Sequence, residues 1–511
     1  MHCGIDIGTG SVRSYHEDGF SDVRETITTK HNNRVITQSS KQIFDSILEI
    51  VKNPTSICFT ATCSMVVKQL IEKDGIKYLA PFNCGLNADQ DQDIILWMDN
   101  RAVEQAKQLN KHLSGSGIKQ TISEFIPELG LPKLKWLSDN YGQIGEFGEV
   151  GGLYCFELYD WFNYVFQIGY VENLVEFKLH NLIYEEGQGI DGSIKGWKKS
   201  DIATLQLKPN VFIAAAESVT KRPKKLMSLG EIVGESSIFP CLIRHGCIDS
   251  YGGWVSSLTD MPNVVSMIAG TSTCFIHQSE TASVKGIWGP FELIEGKRVF
   301  ASGQPATGKL LEDLFQEYRH LEPSFELVET ATQDLEKLHS TSINEMIKNY
   351  FYYGDKYGNR TPLNNFQMNQ MFIDGVNSND LLGSVFTNNL ESLIIKYNLI
   401  LEFLAFQTHQ IFSLFEDIEG ITIIGSQAEN SRFLSLLQFV TGKDIYIIKD
   451  NNHGLNVAKG AMKIASGDGF HNKYQKLSFT PSHSQQKVLD IKKKTIDAFI
   501  TLQQKLNNIY E

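Results

Sequence analysis

Two short turns, each at the end of an apolar segment, combine glycine with hydroxyl side chains. The first, Gly8-Thr9-Gly10-Ser11, follows an apolar run that begins at Gly4. Its backbone N–H groups and hydroxyls are suited to bind an anion. Asp6 lies in the same run, where a carboxylate is costly to bury without a partner, and hydrated Mg²⁺ is a natural one. A plain hairpin with a capping aspartate explains these residues equally well.

A second turn of this kind lies about half a chain later. The apolar run from Val264 to Ala269 is closed by Gly270-Thr271-Ser272-Thr273. The repetition favours the anion-binding interpretation, since two such hairpins, one per domain, could hold one nucleotide from two sides.

Residues 303–310 nearly form a P-loop. They read Gly-Gln-Pro-Ala-Thr-Gly-Lys-Leu, but Leu310 stands where a P-loop has its magnesium-binding Ser or Thr. Pro305 removes one backbone donor from the phosphate cradle, and Arg298–Ser302 before it is only a weak strand candidate. We therefore do not predict a P-loop.

Apolar periodicity predicts the elements that position these turns. Short Val/Ile runs closed by Gly indicate buried strands beginning at Gly4, Val264 and Ile421. A three-to-four spacing predicts a buried helix over Ser384–Phe415 and an amphipathic helix over Lys487–Tyr510. Alternating strands and helices are typical of an α/β protein, with Glu185–Ser200 expected as a loop.

Length and composition set the outer limits. The 511 residues exceed what one hydrophobic core usually holds, so we expect two domains. The formal charge of −12 makes nucleic acid an unlikely main ligand, because phosphate-backbone binding needs a dense basic face. No apolar run approaches the roughly 20 residues that span a bilayer. The N-terminus has no secretory signal pattern, and the eight cysteines have no zinc-site spacing, so we expect a cytoplasmic protein with buried thiols.

Several segments, in order along the chain, resemble the FGGY carbohydrate kinases. The matching segments are 6–13, 97–102, 246–253, 269–274, 303–308 and 358–363, with Gly425, Ser426 and Asn430 beyond them. Residues 97–102, Trp-Met-Asp-Asn-Arg-Ala, are similar to the family signature W-M-D-H-R-A. Residues 59–66, Phe-Thr-Ala-Thr-Cys-Ser-Met-Val, resemble the ribulokinase-like branch.

The resemblance implies a fold and its division. The expected fold is α/β, the two-domain, ribonuclease H-like ATPase fold of actin, hexokinase and the heat-shock chaperones, with mixed sheets flanked by helices and with ATP and sugar in the interdomain cleft. Residues 1–255 would form the sugar-binding domain, 256–470 the nucleotide-side domain, and 471–511 a helical extension.

The resemblance also implies roles at numbered positions. Asp249 would accept the proton of the sugar hydroxyl, and Asp6 would hold Mg²⁺ through water. Arg13 would contact phosphate, although a surface ion pair is an alternative for it. The other residues expected to bind ATP or its phosphates are Gly8, Thr9, Gly10, Ser11, Gly270, Thr271, Ser272, Gly308, Gly425, Ser426 and Asn430.

The substrate side has fewer expected residues. Asp99 and Arg101 would orient sugar hydroxyls, with a capping Asp99 and an exposed Arg101 at a helix N-terminus as the alternative. The remaining expected substrate contacts are Ala61, Thr62, Lys198, Gln304 and Asp249 itself.

Some positions depart from the family pattern. Asn100 stands where the family has a histidine, and Asn365 stands where it has an aspartate. Ala301 replaces an acidic residue whose carboxylate binds the sugar in relatives. The loss at Ala301 removes a charge-assisted hydrogen bond worth roughly 1.5–3 kcal/mol. These changes affect substrate identity more than reaction type.

We therefore expect an ATP- and Mg²⁺-dependent kinase of a ketopentose or similar polyol, with D-ribulose as the first candidate. A sugar- or nucleotide-binding regulator with decayed catalysis remains an alternative. A homodimer formed through the terminal helix is compatible with either.

Overall fold

Strands and helices alternate along the chain, and their bounds come from a computed structural model. It describes residues 1–86, 91–141, 151–179, 193–220, 227–259, 261, 263–279, 287–363, 365, 368–374, 387–415, 417–449, 453–467 and 472–510, with their side chains apart from those of 218, 220, 374 and 499–510. The strands are β1 His2–Ile7, β2 Ser11–His16, β3 Ser21–Glu25, β4 Thr29–Lys30, β5 Ile36–Gln38, β6 Ser56–Ala61, β7 Met65–Lys73, β8 Ile76–Pro81, β9 Ile94–Ile95, β10 Leu153–Glu157, β11 Tyr170–Val171, β12 Leu174–Glu176, β13 Val211–Ile213, β14 Ile232–Glu235, β15 Leu242–Ile248, β16 Val264–Ala269, β17 Thr273–Gln278, β18 Trp288–Ile294, β19 Lys297–Gln304, β20 Tyr350–Gly354, β21 Gln370–Asp374, β22 Gly420–Ile424, β23 Asp444–Ile448 and β24 Tyr474–Leu477. The helices are α1 Ser40–Ile50, α2 Val103–His112, α3 Gly117–Thr121, α4 Gly130–Tyr141, α5 Leu158–Ile168, α6 Lys199–Ala203, α7 Asp249–Ser256, α8 Gly308–Glu317, α9 Phe325–His339, α10 Ile343–Met346, α11 Leu390–Phe412, α12 Ser431–Thr441, α13 Asn456–Ser466 and α14 His483–Tyr510.

The described chain divides into two units, and each is discontinuous in sequence. Unit 1 contains Met1–Asp260, Gln278–Ala301 and Gly454–Asn472. Unit 2 contains Met261–His277, Ser302–His453 and Lys473–Glu511. The predicted boundaries at 255/256 and 470/471 stay a prediction, and they do not include these returns of the chain.

The central sheet of unit 1 has the strand order β14-β15-β6-β1-β2-β3. Phe59 of β6 packs against Phe162 and Phe166 of α5. Neighbouring Thr60 instead lies close to the Gly252 backbone of α7. Because successive side chains of a strand point to opposite faces, α5 and α7 cover opposite faces of this sheet.

Helix α13 joins unit 1 although it lies near the C-terminus of the chain. It packs on β1 and on α7, and the approach is so close that a Cβ at Gly4 would lie 2.1 Å from the Ala458 carbonyl oxygen. A Cβ at Gly460 would lie 1.9 Å from the Gly252 oxygen. Glycine at these two positions therefore lets a C-terminal helix complete the N-terminal unit.

A second sheet of unit 1 carries the segment that leads to residues 97–102. Its strand order is β11-β12-β8-β7-β9-β5-β4, and β10 pairs with β7 and β13. The short strand β9 lies between β7 and β5, and the chain leaves it at Ile95.

Unit 2 is built on the strand order β17-β16-β22-β23-β24. The predicted helix over Ser384–Phe415 is α11, which begins after Asn389, whose side chain accepts the Ser392 N–H at 2.9 Å. Residues 384–386 lie outside the described part of the chain. The predicted terminal helix is α14, which starts four residues earlier than expected, at His483.

Two weaker expectations have different outcomes. Arg298–Ser302, a weak strand candidate in the sequence, lies inside the well-formed strand β19. Within the predicted loop Glu185–Ser200, residues 185–192 lie outside the described part, and α6 begins at Lys199. Among the described helices, none is long and apolar enough to cross a membrane.

Candidate active site

Strand register brings three predicted site segments together in unit 1. The parallel strands β1, β6 and β15 end at one edge of the sheet, where Ala61 pairs with both Ile7 and Ile248. The residues that follow these strand ends are Gly8, Thr62 and Asp249. The first turn, the predicted substrate contacts Ala61 and Thr62, and the predicted base are therefore neighbours.

Asp249 is the first residue of α7. Its Oδ1 accepts the N–H of Ser250 at 2.7 Å. Burial, reinforced by the Asp6 carboxylate, raises the pKa of Asp249 to about 7, against the opposing effects of the Ser250 amide and Arg13. A carboxyl that titrates near neutral pH can accept a proton from an alcohol as a general base.

Asp6 and Arg13 form an ion pair across the β1–β2 hairpin. They face each other in register, and Arg13 Nη1 donates to Asp6 Oδ2 at 3.0 Å. Asp6 is only 3% exposed, and burial raises its pKa although Arg13 opposes this. Of the two roles left open for Arg13, the structure shows an ion pair, with a buried partner.

This charge arrangement fits a divalent cation. The Asp6 and Asp249 carboxyls interact electrostatically, and the Arg13 guanidinium is the cation acting on both. Within the described residues, no group of three or more His, Cys, Asp or Glu side chains could hold a metal ion by itself. Mg²⁺ typically needs only one or two carboxylates together with water and phosphate oxygens, so these residues fit that ion.

The first turn is held from two sides through Thr9. Its carbonyl oxygen accepts hydrogen bonds from the hydroxyls of Thr26 and Thr28, both at 3.0 Å, and from Gln38 Nε2 at 2.8 Å. The Trp97 indole Nε1–H donates to Thr9 Oγ1 at 2.9 Å. Because the indole is the donor, the Thr9 hydroxyl keeps its own proton for another acceptor, such as a phosphate oxygen.

The side chains of Asp99 and Arg101 are buried and hydrogen-bonded to each other. Asp99 Oδ1 accepts from the backbone N and Nε of Arg101, and Oδ2 accepts from Arg101 Nη2 and the backbone N–H of Ile36. Arg101 also lies over the Trp136 ring, and its side chain is 5% exposed, so the alternative of an exposed Arg101 is wrong. With both oxygens of Asp99 in use, hydrogen bonds to a sugar would come mainly from the remaining N–H groups of Arg101.

The other predicted substrate residues have varied surroundings. Thr62 is buried, and its hydroxyl lies 2.9 Å from the Ser64 hydroxyl. Lys198 is exposed just before α6. Gln304, in unit 2, is buried, with Nε2 donating to the Thr361 carbonyl and Oε1 accepting from the Arg360 N–H. Of these three, only Thr62 follows one of the strand ends that adjoin Asp249.

In unit 2, three glycine-containing segments meet at the second turn. The Gly308 N–H donates to the Gly270 carbonyl at 3.0 Å, and a Cβ at Gly308 would lie 2.7 Å from that oxygen. Gly425 has φ 90°, and a Cβ there would lie 2.3 Å from the Ala269 oxygen. Backbone thus packs on backbone where β16, α8 and the end of β22 come together.

A cavity of 670 Å³ opens beside this junction, entirely within unit 2. Its lining residues are Gly270, Thr271, Gly308, Lys309, Glu312, Phe315, Gln316, Arg319, Glu322, Pro323, Phe325, Ser426 and Gln427. The set includes the predicted Gly270, Thr271, Gly308 and Ser426. Asn430 instead caps α12, with Oδ1 accepting the Phe433 N–H at 3.1 Å and Nδ2 donating to the Tyr397 hydroxyl.

Comparison with known proteins shows a similarity to one enzyme family. Residues 265–466 match the model of the C-terminal domain of the FGGY family of carbohydrate kinases. This part of the chain is similar to that domain. Together with the relatives and solved structures below, the match identifies the chain as a carbohydrate kinase, a phosphotransferase that uses ATP.

Relatives and solved structures extend the similarity to almost the whole chain. Protein MPA43 of Saccharomyces cerevisiae is 28% identical over 90% of this chain and 85% of its own length. D-ribulokinase YDR109C of the same yeast is 27% identical, covering 95% of this chain and 74% of its own length. The crystal structure of xylulose kinase from Rhodospirillum rubrum has a TM-score of 0.69 at 14% identity, covering 99% of both chains. The predicted two-domain α/β fold is thereby confirmed.

Sequence reasoning missed a buried ionic cluster in unit 1 of this carbohydrate kinase. Lys195 Nζ lies 3.1 Å from Asp160 Oδ1, 2.8 Å from Glu217 Oε1 and 2.8 Å from His245 Nε2. His245 belongs to β15, the strand that leads to Asp249. No sequence signal marks this cluster, because its members come from four separate segments and Lys195 lies in a predicted loop.

Lys133 was missed as well, although a weak signal exists. It lies in α4 between the buried residues Leu131, Leu134 and Leu137, and it is itself 1% exposed. A lysine so close to the apolar positions of a helix indicates either a snorkelling side chain or an internal partner. The structure shows internal partners.

Proposed function

We propose that this kinase transfers the γ-phosphoryl group of ATP to the terminal hydroxyl of a ketopentose, with D-ribulose as the first candidate. The observation that carries the proposal is Asp249, whose pKa is raised to about 7 at the strand edge that also holds the first turn. The substrate class is supported by the relative called a D-ribulokinase and by the ribulokinase-like segment 59–66.

Each side chain has a simple part in this reaction. Asp249 accepts the proton of the sugar hydroxyl while the hydroxyl oxygen attacks the γ-phosphorus, and ADP leaves. Thr9 donates its hydroxyl proton to a phosphate oxygen, and the hydroxyl and backbone amide of Thr271 bind phosphate at the cavity of unit 2. Phosphoryl transfer otherwise depends mostly on positioning and charge stabilisation, so one well-placed base is sufficient.

We place Mg²⁺ near Asp6, with phosphate oxygens and water completing its ligands. When bound, the ion neutralises charge that develops on the phosphates. The Asp6 carboxylate would hold the ion. When the ion is absent, the Arg13 guanidinium offsets the negative charge of Asp6. The nucleotide occupies the 670 Å³ cavity of unit 2, whose Phe315 and Phe325 side chains offer apolar surface to the base.

An ADP-release assay over a panel of ketoses and polyols tests the proposal. We expect turnover with D-ribulose or a close relative, and a loss of about 100- to 10,000-fold in kcat for Asp249→Asn, as is typical when a general base is removed. Asp334→Asn is a matched control, because this aspartate is 69% exposed on α9. Equal turnover by the wild type and Asp249→Asn contradicts the assignment of the base. If calorimetry detects binding of ATP or sugar but no substrate is turned over, the result supports the alternative of a regulator with decayed catalysis.

A further inference from the structure

Lys133 is a buried lysine whose ammonium group donates to backbone carbonyls. Its Nζ lies 2.8 Å from the Leu96 oxygen, 2.7 Å from the Trp97 oxygen and 2.9 Å from the Glu128 oxygen. An ammonium group has three N–H donors, so these contacts use all of them. Lys133 therefore fastens the Leu96–Trp97 backbone to α4.

The fastened backbone leads directly to the first turn. The Trp97 backbone N–H donates to the Ser64 hydroxyl at 2.9 Å, and its indole donates to Thr9 Oγ1. Two residues later, Asp99 and Arg101 form the bidentate pair described above. Lys133 thus binds the backbone segment that contacts the first turn and continues to the Asp99–Arg101 pair.

We propose that Lys133 is a positioning residue of this kinase, which holds Trp97 so that its indole fixes the Thr9 hydroxyl towards phosphate. The proposal rests on the proposed function for the role of Thr9. Without the ammonium group, the three carbonyls lose the hydrogen bonds of Lys133, although that of Leu96 keeps another donor, the Asp99 N–H at 3.0 Å. The Trp97 segment can then move away from the turn. Displacements of about 1 Å in a positioning contact can cost on the order of 100-fold in rate.

The charges around Lys133 make this contact sensitive to pH. Burial lowers the pKa of Lys133 to about 8, opposed mainly by Asp99 and also by Cys63 and Glu128, while Arg101 lowers it further. Glu157 interacts with it as well. A neutral amine has one N–H fewer and turns a lone pair towards the carbonyl oxygens, so we expect the contact to loosen as the pH rises through about 8.

The Trp97 indole N–H reports this geometry without any need for activity. In ¹⁵N-tryptophan-labelled protein, Trp97→Phe assigns its resonance, and Thr9→Val defines the shift that follows loss of the acceptor. We expect Lys133→Met to move the resonance in the direction of Thr9→Val, and Lys133→Arg to move it less. Lys135→Met is the control, since Lys135 lies on the same helix and pairs with Asp139 at 2.7 Å. A Trp97 resonance unchanged in Lys133→Met overturns the proposal.

Two further arms separate positioning from general stability. If Lys133→Met fails to fold, the Asp249→Asn variant, which removes the base as a titrating group, is titrated instead. Its Trp97 resonance should then show an inflection near pH 8, and a flat profile overturns the proposal. In kinetics, Lys133→Met should lower kcat/KM for ATP about 100-fold in the wild type but only slightly in Thr9→Val, because the two changes disrupt one contact.

Equal losses in both backgrounds also overturn the proposal. If the wild type turns over no sugar at all, the proposed function fails, while the resonance of Trp97 still decides the role of Lys133. The two failures are therefore distinguishable.

Discussion

At the residue scale, the candidate site combines two interacting carboxyls, those of Asp6 and Asp249, with one guanidinium, that of Arg13. Asp6 is almost fully buried and is paired with Arg13, while Asp249 has its pKa raised to about 7 by burial and by Asp6. A protein of formal charge −12 gains little attraction for a polyanion from its overall field. In the proposed site, binding of ATP therefore depends on local groups, namely the turn amides and hydroxyls, Arg13 and a cation.

The pH dependence of activity follows from Asp249. The base acts only when deprotonated, so we expect kcat to rise with pH through about 7 and then to level off. Arg13→Met should move this midpoint to higher pH, because the guanidinium lowers the pKa of both carboxyls. Rates measured between about pH 5.5 and 9 cover more than one pH unit on each side of the midpoint, so they detect both effects.

The control for Arg13→Met is Arg24→Met. Arg24 lies on the neighbouring strand β3 and pairs with Glu49 at the surface. Its replacement should leave the midpoint in place, and a midpoint that is equally unaffected by Arg13→Met contradicts the proposed charge coupling.

The same shift has a consequence for stability. The folded pKa of Asp249 lies above its unfolded value of about 3.9, so the folded state binds more protons between about pH 4 and 7. The contribution of this group to stability therefore falls as the pH rises through that window. Asp249→Asn should be more stable than the wild type at pH 8, with the difference shrinking towards pH 4, as measured by denaturant unfolding.

At the element scale, close backbone packing positions the segments of both units. In unit 1, Gly4 and Gly460 let α13 lie directly on β1 and α7. In unit 2, Gly308 and Gly425 bring α8 and the end of β22 against the second turn. A side chain at any of these positions would separate two elements rather than merely fill space.

Gly425→Ala tests this packing. The new Cβ would lie 2.3 Å from the Ala269 oxygen, at a φ of 90°, so we expect a loss of stability of about 1–3 kcal/mol or more and weaker ATP binding. Gly442→Ala is the matched control, since it also has a positive φ, 67°, but has no atom within 4 Å of its Cβ. It should lose some stability but keep ATP affinity, as measured by unfolding and calorimetry. Equal ATP affinity in both variants would show that the junction does not shape the cavity.

At the scale of the whole molecule, each unit needs chain segments that are far apart in sequence. The N-terminal strand β1 is covered by α13, and the Ser56 hydroxyl of β6 donates to the Ala465 carbonyl at 2.6 Å. A chain cut after the first half therefore leaves the face of β1 that carries Gly4 uncovered.

Residues 1–260 produced alone should consequently be unstable. We expect binding of a hydrophobic dye and a non-cooperative thermal transition, because apolar surface of β1 and α7 is exposed. Joining residues 454–472 through a flexible linker should restore cooperative unfolding. A stable, cooperative fragment 1–260 would show instead that α13 is dispensable for this unit, as the continuous sequence-based division implies.

Local patterns made much of the fold and part of the site predictable. The turns at Gly8 and Gly270, the strands before them and the helix α11 follow from apolar runs and glycines that are adjacent in sequence. The resemblance to the FGGY carbohydrate kinases supplied Asp249, and it is confirmed for residues 265–466. The roles of the individual site residues stay predictions.

Other features could not be predicted, because their partners are distant in the chain. The sequence does not indicate that Asp6 pairs with Arg13 rather than with solvent, or that Lys195 collects Asp160, Glu217 and His245. Asn430 matched a family motif, yet in the structure its side chain caps α12. A motif specifies residue types, whereas the use of each side chain depends on which donors and acceptors lie beside it.

The sequence by itself determined the α/β class, the two glycine turns and the resemblance to the FGGY carbohydrate kinases. Only the tertiary structure decided that β1, β6 and β15 end side by side and that α13 packs on β1. The same holds for the hydrogen bond from Lys133 to the Trp97 carbonyl. The physical reason is that propensity and periodicity act over a few residues. Strand register, burial and the charges that shift a pKa depend on residues brought together by folding.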